Sequence, residues 1–492
     1  MASLPSLDAD HPVVTGRLIA ANTFFLAIAD IANKLIMFGF YVVIARKLSV
    51  EDYGVLSFAL AFVTMLAVFS DLGLGTITAR GVARDKRNAA KYVRNALGIK
   101  LFAAFGVVIL IIVLVNILGY PWRTVKIVYI TSVFVLETAF TSYFVYVFQG
   151  FERMHWTSLT RLLQSGILIV GALLIPPGAK AVEMFALLYV VSGFIAALFA
   201  FVVISCFFVR PGLSFDLSEW RNMIQAAAPV GITLILVTFY YWNGSTFLSK
   251  IHGDAAVGIY TAAYRLALAV TFLGLAFSSA LYPVFSRLFV SDLPRLQKAF
   301  ERALRYMTLL MAPIAVIGSV LPKPITLLVY GSNYGGTVGV LAVMIWWSFF
   351  ACLNSLISNY FIAIDKPVVG TIQAAISLGV NVLGNIILIP KWGAIGAAIA
   401  IVSAEAIGTG YLFIRQLKTA AGIKFSRFVI ILLLGFGAAI PVGVVALVGR
   451  SWNLLAVLVL SAIVYMIFLL LTGGINRQDL KFGYALLKKQ NE

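Results

Sequence analysis

Apolar residues along this chain are grouped in long runs, and short stretches rich in charge, glycine and proline separate one run from the next. A helix that crosses a bilayer needs roughly 20 predominantly apolar residues, and each run is about that long. The runs predict about fourteen membrane-spanning helices, at residues 19–44, 54–79, 97–118, 126–148, 157–175, 183–208, 222–247, 257–284, 304–321, 337–363, 367–389, 393–414, 426–449 and 452–472.

Composition favours the same fold class, an all-α integral membrane protein. Of the 492 residues, 62% are hydrophobic and 11% are charged, which excludes an ordinary soluble domain. The net charge of +18 is spread over many loops, so nucleic acid is not an expected partner. Two cysteines in apolar runs and three isolated histidines lack the spacing of a disulfide framework or a metal site, and no metal or other cofactor is expected.

The two ends of the chain are expected on the same side of the membrane, because the number of spans is even. The loops on that side hold most of the Lys and Arg residues, and cytoplasmic loops typically carry such an excess. We therefore expect both termini in the cytoplasm. The polar N-terminal segment lacks the basic and then apolar order of a cleaved leader, so the first span is expected to remain in the mature protein.

An internal repeat is visible when the first half of the chain is laid over the second. Gly54 then aligns with Gly258, and farther on Gly171 aligns with Gly384. Repeats of this kind indicate duplicated structural units. The predicted division is a six-helix lobe at 1–212, a second six-helix lobe at 213–422, and helices 13 and 14 with a cytoplasmic tail at 423–492.

Three stretches of the chain resemble a known family. They read IARKLSVEDYGVLSFALAFVTMLAVFSDLGLGTITARGVARD at 44–85, LLVYGSNYGGTVGVLAVM at 327–344 and NVLGNIILIPKWGAIGAAIAIVSAE at 381–405. The order and spacing of these residues are similar to those of Wzx-type polysaccharide flippases, in the multidrug/oligosaccharidyl-lipid/polysaccharide exporter superfamily.

The resemblance implies a fold and a function. The fold is two six-helix lobes around a central cavity, with helices 13 and 14 at the side. The function is alternating-access transport of polyprenyl-diphosphate-linked oligosaccharide, from the cytoplasmic to the outer leaflet of the cytoplasmic membrane, for polysaccharide biosynthesis such as that of O-antigen. The implied partners are this lipid-linked substrate, membrane lipids and a coupling proton or sodium ion.

Two other transport functions remain open, a peptidoglycan lipid-precursor flippase and a cation-coupled multidrug antiporter. An enzyme acting on the same substrates would need a large outer loop or an acid cluster at the interface, and the outer loops predicted here are short. The chain also lacks the glycine-rich GK[ST] loop of an ATPase. We therefore expect a transporter and not an enzyme.

Ionisable residues inside the predicted spans are candidate sites, because a charge in hydrocarbon is costly and needs a cavity or a partner. Asp30 and Lys34 are four residues apart, on one face of the first helix, where they form either an ion pair or a site. Glu137 and Glu405 lie near the centres of their spans. With Asp30, they are the candidates for binding a coupling ion, unless they are structural. Lys100 is expected to extend to the membrane surface.

Arg265 is the candidate ligand for a diphosphate, since a guanidinium group offers a fixed fork of donors. Tyr260 and Tyr264 precede it and could contact sugar, and Lys34 supplies a further cation. Alternatively, Arg265 pairs with a carboxylate such as Glu405. Asp71 is expected to cap a helix or to pair with Arg80 or Arg84. Amide side chains on later helices either line a polar cavity or join helices, namely Asn354, Asn359, Gln373, Asn381 and Asn385.

Overall fold

The structure, a computed structural model, describes the backbone of residues 12–471 and the side chains of residues 29–450 and 452–471. The predicted polar N-terminal segment and cytoplasmic tail lie largely outside these residues. The described part of the chain is mainly helical and contains no β-strand. Its helices are α1 (Pro12–Lys47), α2 (Val50–Asp71), α3 (Leu74–Arg84), α4 (Ala89–Ile117), α5 (Trp122–Gly150), α6 (Met154–Leu174), α7 (Ala181–Phe207), α8 (Leu217–His252), α9 (Asp254–Ser291), α10 (Leu293–Val320), α11 (Pro322–Tyr330), α12 (Thr337–Ala363), α13 (Val368–Leu417), α14 (Phe425–Val448) and α15 (Leu454–Leu471).

Twelve helices in the described part of the chain are long and apolar enough to cross a membrane. They include every helix from α4 to α10, together with α2 and α12 to α15. The helix α1 covers the first predicted span. The predicted fold class, an all-α multi-pass membrane protein, is confirmed.

The longest helix, α13, is two spans joined by a sharp turn. Gly393 has φ 50° and ψ −128°, a conformation that glycine adopts without strain. The hydroxyl of Ser377 donates to the carbonyl of Ala404 at 3.1 Å. In a straight helix these two residues would be about 40 Å apart, at 1.5 Å per residue. The chain therefore reverses near Gly393 and forms two antiparallel arms, as the predicted spans 367–389 and 393–414 require.

The second predicted span, 54–79, is wrong as a continuous helix. The helix α2 ends at Asp71, Leu72 and Gly73 have φ values of 45° and 84°, and α3 begins at Leu74. The Asp71 carboxylate accepts a hydrogen bond from the Gly73 backbone N–H at 3.2 Å, which stabilises the turn. Apolar residues continue through this turn, so the hydrophobic pattern alone could not locate the break between α2 and α3.

Backbone contacts cluster the described residues into two compact units. The first contains the residues up to Leu48 together with Phe62–Ile235, and the second contains Ser49–Ala61 together with the residues from Leu236 onward. Each unit has a buried apolar core, around Phe148 in the first unit and around Phe300 in the second. The domain limits drawn from the sequence stay a prediction.

The first part of α2, which belongs to the second unit, crosses α9 at a pair of glycines. A Cβ atom added at Gly54 on α2 would lie 1.7 Å from the Asp254 carbonyl oxygen, and one added at Gly258 on α9 would lie 2.1 Å from the Val50 carbonyl oxygen. These distances are far shorter than a van der Waals contact. The absence of a side chain at both positions therefore permits the backbones of α2 and α9 to touch.

Candidate functional site

A cavity of about 510 Å³ lies within the second unit, between α8, α9, α12 and α13. We call it the polar cavity, because amide, hydroxyl and carboxyl groups line it within otherwise apolar helices. Its aromatic wall consists of Tyr240, Tyr241, Trp242, Tyr264 and Trp347. Its polar wall consists of Asn354, Ser355, Ser358, Asn359, Gln373, Ser377 and Glu405.

Glu405 is the carboxyl group of the polar cavity, and it is 4% exposed. The Tyr240 hydroxyl donates a hydrogen bond to one carboxylate oxygen, and the Asn354 amide donates to the other at 2.7 Å. Trp347 donates its ring N–H to the Tyr240 hydroxyl at 3.2 Å. Neutral donors thus engage both oxygens, which offsets much of the cost of burying a carboxyl group.

The three candidate residues of α9 occupy different positions around the polar cavity. Tyr264 lines the cavity, and its ring centroid lies 5.1 Å from that of Trp347. Tyr260 is buried and stacks on Tyr264 with 6.4 Å between ring centroids. It contacts this wall residue but does not itself line the cavity. The guanidinium carbon of Arg265 lies 6.0 Å from the ring centroid of the wall residue Trp242, within the range of a cation–π contact.

The amide side chains named from the sequence fall into two groups. Asn354, Asn359 and Gln373 line the polar cavity. Asn381 and Asn385 instead form a buried cluster on α13, which Asn243 of α8 completes.

Hydrogen bonds join the three amides of this cluster. Asn243 donates to the Asn381 side-chain oxygen at 2.8 Å, and Asn385 donates to the Asn243 side-chain oxygen at 2.6 Å. Sequence reasoning missed Asn243, although an asparagine inside an apolar helix is a signal that a polar partner lies on a neighbouring helix.

Asp30 belongs to a smaller polar cavity of about 210 Å³ in the first unit. The Lys34 amine lies 2.7 Å from the Asp30 carboxylate, and both side chains are 44% exposed. The same cavity is lined by Asn33, Gln149, Thr157, Ser158 and Arg161. Arg161 was missed as a candidate, because it lies near the start of a predicted span. Its spacing of four from Thr157 was a usable signal, since such residues share a helix face.

Glu137 lies midway along α5 and is 5% exposed. Among the described residues, neither of its carboxylate oxygens has a hydrogen-bond partner. It lines a cavity of about 760 Å³ in the first unit, between α4, α5 and α7, whose other lining residues are apolar apart from glycine. We call this the apolar cavity.

The prediction for Lys100 is wrong, and so is the predicted pairing of Asp71 with Arg80 or Arg84. The Lys100 amine lies 2.5 Å from the Asp71 carboxylate, donates to the Ala139 carbonyl at 3.2 Å, and is 0% exposed. Lys100 does not extend to the surface, because its side chain is fully buried between helices, 11 residues after the start of α4 at Ala89. Asp71 pairs with this lysine, and not with Arg80 or Arg84.

Two family models match the chain. The model described as polysaccharide biosynthesis protein matches residues 19–289, which is more than half of the chain. The model described as MatE matches residues 229–387.

Two curated relatives come from Haloferax volcanii. The chain is 30% identical to "Probable flippase AglR" over 185 residues, which cover 37% of this chain and 38% of that protein. The match therefore spans less than half the length of that relative. The chain is 22% identical to "Probable low-salt glycan biosynthesis flippase Agl15" over 411 residues, which cover 83% of this chain and 85% of that protein.

The fold is similar to that of a solved structure, "Lipid II flippase MurJ, inward closed conformation". The TM-score is 0.75 and the sequence identity is 18%, with 90% of this chain and 98% of that chain covered. At this identity the likeness concerns the fold alone. Together with the family match over residues 19–289, it confirms the resemblance seen in the sequence. The chain belongs to the polysaccharide biosynthesis protein family.

Proposed function

We propose that this protein is a flippase that moves polyprenyl-diphosphate-linked oligosaccharide from the cytoplasmic to the outer leaflet of the cytoplasmic membrane, by alternating access. The observation that carries the proposal is the polar cavity. A space of about 510 Å³ lined by amides, hydroxyls and a carboxyl group is costly within membrane-spanning helices, unless a polar solute occupies it. The names of the two curated relatives support a glycan as the cargo.

The walls of the polar cavity have the chemistry that a sugar requires. A sugar ring has an apolar face, which packs on aromatic rings such as those of Tyr264 and Trp347. Its hydroxyl groups both donate and accept hydrogen bonds, as the side chains of Asn359 and Gln373 also do. These side chains support the polar cavity as the proposed site for the substrate's sugars.

The diphosphate of the substrate loses its bound water when it enters the protein, and cationic side chains must replace that hydration. Arg265 lies beside the cavity wall at Trp242, and Lys34 and Arg161 are the corresponding candidates in the first unit. For ion coupling, Asp30 and Glu405 each lie in a polar cavity where a proton or a sodium ion could bind. Glu137 is a third candidate for coupling, and it lines the apolar cavity of the first unit.

The test is transfer between leaflets by the purified protein in vesicles. We expect lipid-linked oligosaccharide with a fluorescent glycan to become accessible to an outside quencher only when the protein is present, and faster with an imposed proton or sodium gradient. Protein-free vesicles are the control. A peptidoglycan lipid precursor in the same assay tests the main alternative. Transfer of that precursor alone would contradict the proposal, as would the absence of transfer of either lipid.

A further inference from the structure

The apolar cavity of the first unit extends to the linker between α7 and α8. Pro211, Gly212 and Leu213 of this linker line the cavity together with residues of α4, α5 and α7. The cavity opens on an apolar face, where the wall residue Phe194 is 63% exposed and Leu198 is 51% exposed. In a bilayer such a face contacts lipid chains, so a ligand enters the cavity from the membrane and not from water.

Hydrogen bonds hold the linker against α4. The Ser214 backbone N–H donates to the Arg94 carbonyl at 3.3 Å, and the Trp220 ring N–H donates to the Ser214 carbonyl at 3.2 Å. A Cβ atom added at Gly98 would lie 2.7 Å from the same Ser214 oxygen, so glycine permits this close approach. The end of the cavity that the linker forms is therefore a fixed part of the first unit.

Arg94 lies at this end of the cavity. Leu97 of α4 lines the cavity, and Arg94 precedes it by three residues, on the same face of the helix. A Cβ atom added at Gly212 would lie 3.4 Å from the Arg94 Nε atom, so the guanidinium group lies beside the cavity lining. Arg94 is exposed, whereas Lys91 already pairs with Glu219 at 3.1 Å. An exposed cation thus borders an apolar space.

A phospholipid carries both of the chemical groups that this arrangement suits. Its phosphate is a ligand for a guanidinium group, and its acyl chains are apolar. The basic residues predict that this end of α4 faces the cytoplasm, and the cytoplasmic leaflet contains anionic lipids. The glycan of the transport substrate is a poorer match, because the residues that line the apolar cavity offer a sugar no side-chain amide or hydroxyl group.

We propose that the apolar cavity binds an anionic phospholipid of the cytoplasmic leaflet, with an acyl chain between α5 and α7 and the phosphate at Arg94. Arg210 is exposed and directly precedes Pro211 of the cavity lining, so it supplies a second positive charge at the same end. All of these residues belong to the first unit, and the proposal does not rest on glycan transport.

Native mass spectrometry of the full-length protein, titrated with dioleoyl phosphatidylglycerol or with zwitterionic dioleoyl phosphatidylcholine, tests this proposal. We expect saturable binding of phosphatidylglycerol that Arg94→Gln weakens about tenfold, because a charge-assisted bond to the phosphate is lost. The substitution keeps the backbone bond between Arg94 and Ser214. Arg87→Gln is the matched control, since it removes an exposed arginine from the same end of the unit, before α4 begins. This control should bind as the wild type does.

A second variant tests the apolar part of the site. Ala197 of α7 lines the cavity, and the ring of Ala197→Phe would occupy space that an acyl chain needs. We expect this variant to bind phosphatidylglycerol at least about tenfold more weakly, because fewer CH₂ groups are buried. Glycerol phosphate, which has the phosphate but no chains, should not displace the lipid.

Equal affinity of the wild type and Arg94→Gln for phosphatidylglycerol would overturn the proposal. Displacement of the lipid by glycerol phosphate would reveal a surface anion site, and displacement by equimolar polyprenyl diphosphate would assign the cavity to the transport substrate. Either result would also contradict the proposal. Should Arg94→Gln not fold, the two lipids and Ala197→Phe decide the question. No preference for phosphatidylglycerol, together with unchanged affinity in Ala197→Phe, would then refute it.

Discussion

Lys100 and Asp71 form an ion pair inside the first unit, with 0% and 19% of their side chains exposed. Two charges taken out of water lose hydration energy, and their mutual attraction offsets only part of that loss. Removing one partner is worse than removing both, because it leaves a buried charge alone. We expect Asp71→Asn, which leaves Lys100 without its counterion, to lower the free energy of unfolding by about 3 kcal/mol. Unfolding of the detergent-solubilised protein measures the change.

A double variant separates this effect from a general loss of packing. Asp71→Asn combined with Lys100→Met should be more stable than Asp71→Asn alone, since no buried charge remains. Lys126→Met is the control, because Lys126 is half exposed where it pairs with Glu183, and such pairs contribute about 1 kcal/mol or less. If Asp71→Asn and the control lowered the free energy of unfolding equally, the buried pair would stabilise the protein no more than an exposed one.

Arg265 is the candidate ligand of the diphosphate. If its guanidinium group contacts the substrate, Arg265→Ala should abolish leaflet transfer, and Arg265→Lys should restore part of it, because lysine keeps the charge but lacks the fork of donors. Transfer is measured beside the melting temperature. Arg295→Ala is the control, since that arginine is 78% exposed on α10. Full transfer by a stable Arg265→Ala protein would exclude the role.

The sequence identified buried ionisable residues better than it identified their partners. Glu137 and Glu405 stand out because any charge within an apolar run is rare and costly. Their surroundings depend on which helices meet there, and a single sequence does not contain that information. Tyr240 and Asn354 donate hydrogen bonds to Glu405, and Trp347 donates to Tyr240, whereas Glu137 lines an apolar cavity. The two residues look alike in the sequence and differ fully in the structure.

At the scale of elements, the crossing of α2 and α9 depends on Gly54 and Gly258. Alanine at either position would place a Cβ atom against a backbone carbonyl, which cannot rotate away as a side chain can. We expect Gly54→Ala and Gly258→Ala each to destabilise the protein by roughly 1–3 kcal/mol, the usual cost of overpacking. Thermal unfolding measures the loss.

Two other glycines serve as matched controls for this prediction. Gly106 and Gly370 lie inside helices with nothing within 4 Å of an added Cβ atom. Alanine there should be neutral or slightly stabilising, since it favours helix over the unfolded chain. Similar behaviour of all four variants would mean that the close approach of α2 and α9 is not needed for stability.

Helices were the part of the fold that the sequence predicted best. Each span must satisfy its own backbone hydrogen bonds and present an apolar surface, so each leaves a local signal in the sequence. The turn after Asp71 left a weaker signal, because a left-handed turn of two residues needs no polar run. The reversal near Gly393 was predicted, since Pro390 and Lys391 interrupt the apolar pattern there.

At the scale of the whole molecule, the excess of basic residues predicts a membrane orientation that can be measured. In a variant whose Cys206 and Cys352 are replaced by serine, a single cysteine in 84–94 should react with an impermeant reagent only from the cytoplasm. One in 119–125 should react only from outside. A cysteine in place of Ala104, which is 0% exposed and lies between these segments, serves as an unreactive control. Labelling of both segments from the same side would contradict the predicted topology.

The cluster of Asn243, Asn381 and Asn385 bears on how the chain is inserted during synthesis. The ribosome makes α8 before α13, so Asn243 enters the membrane first. Its amide can donate to the Phe239 carbonyl of its own helix at 2.6 Å. The amide therefore has a hydrogen-bond partner in the membrane before α13 is inserted. The first arm of α13 then arrives with two amides for which a partner is already in place, and the turn at Gly393 returns the second arm along the first. In this order of synthesis, Asn381 and Asn385 enter the membrane when Asn243 is already there to bond with them.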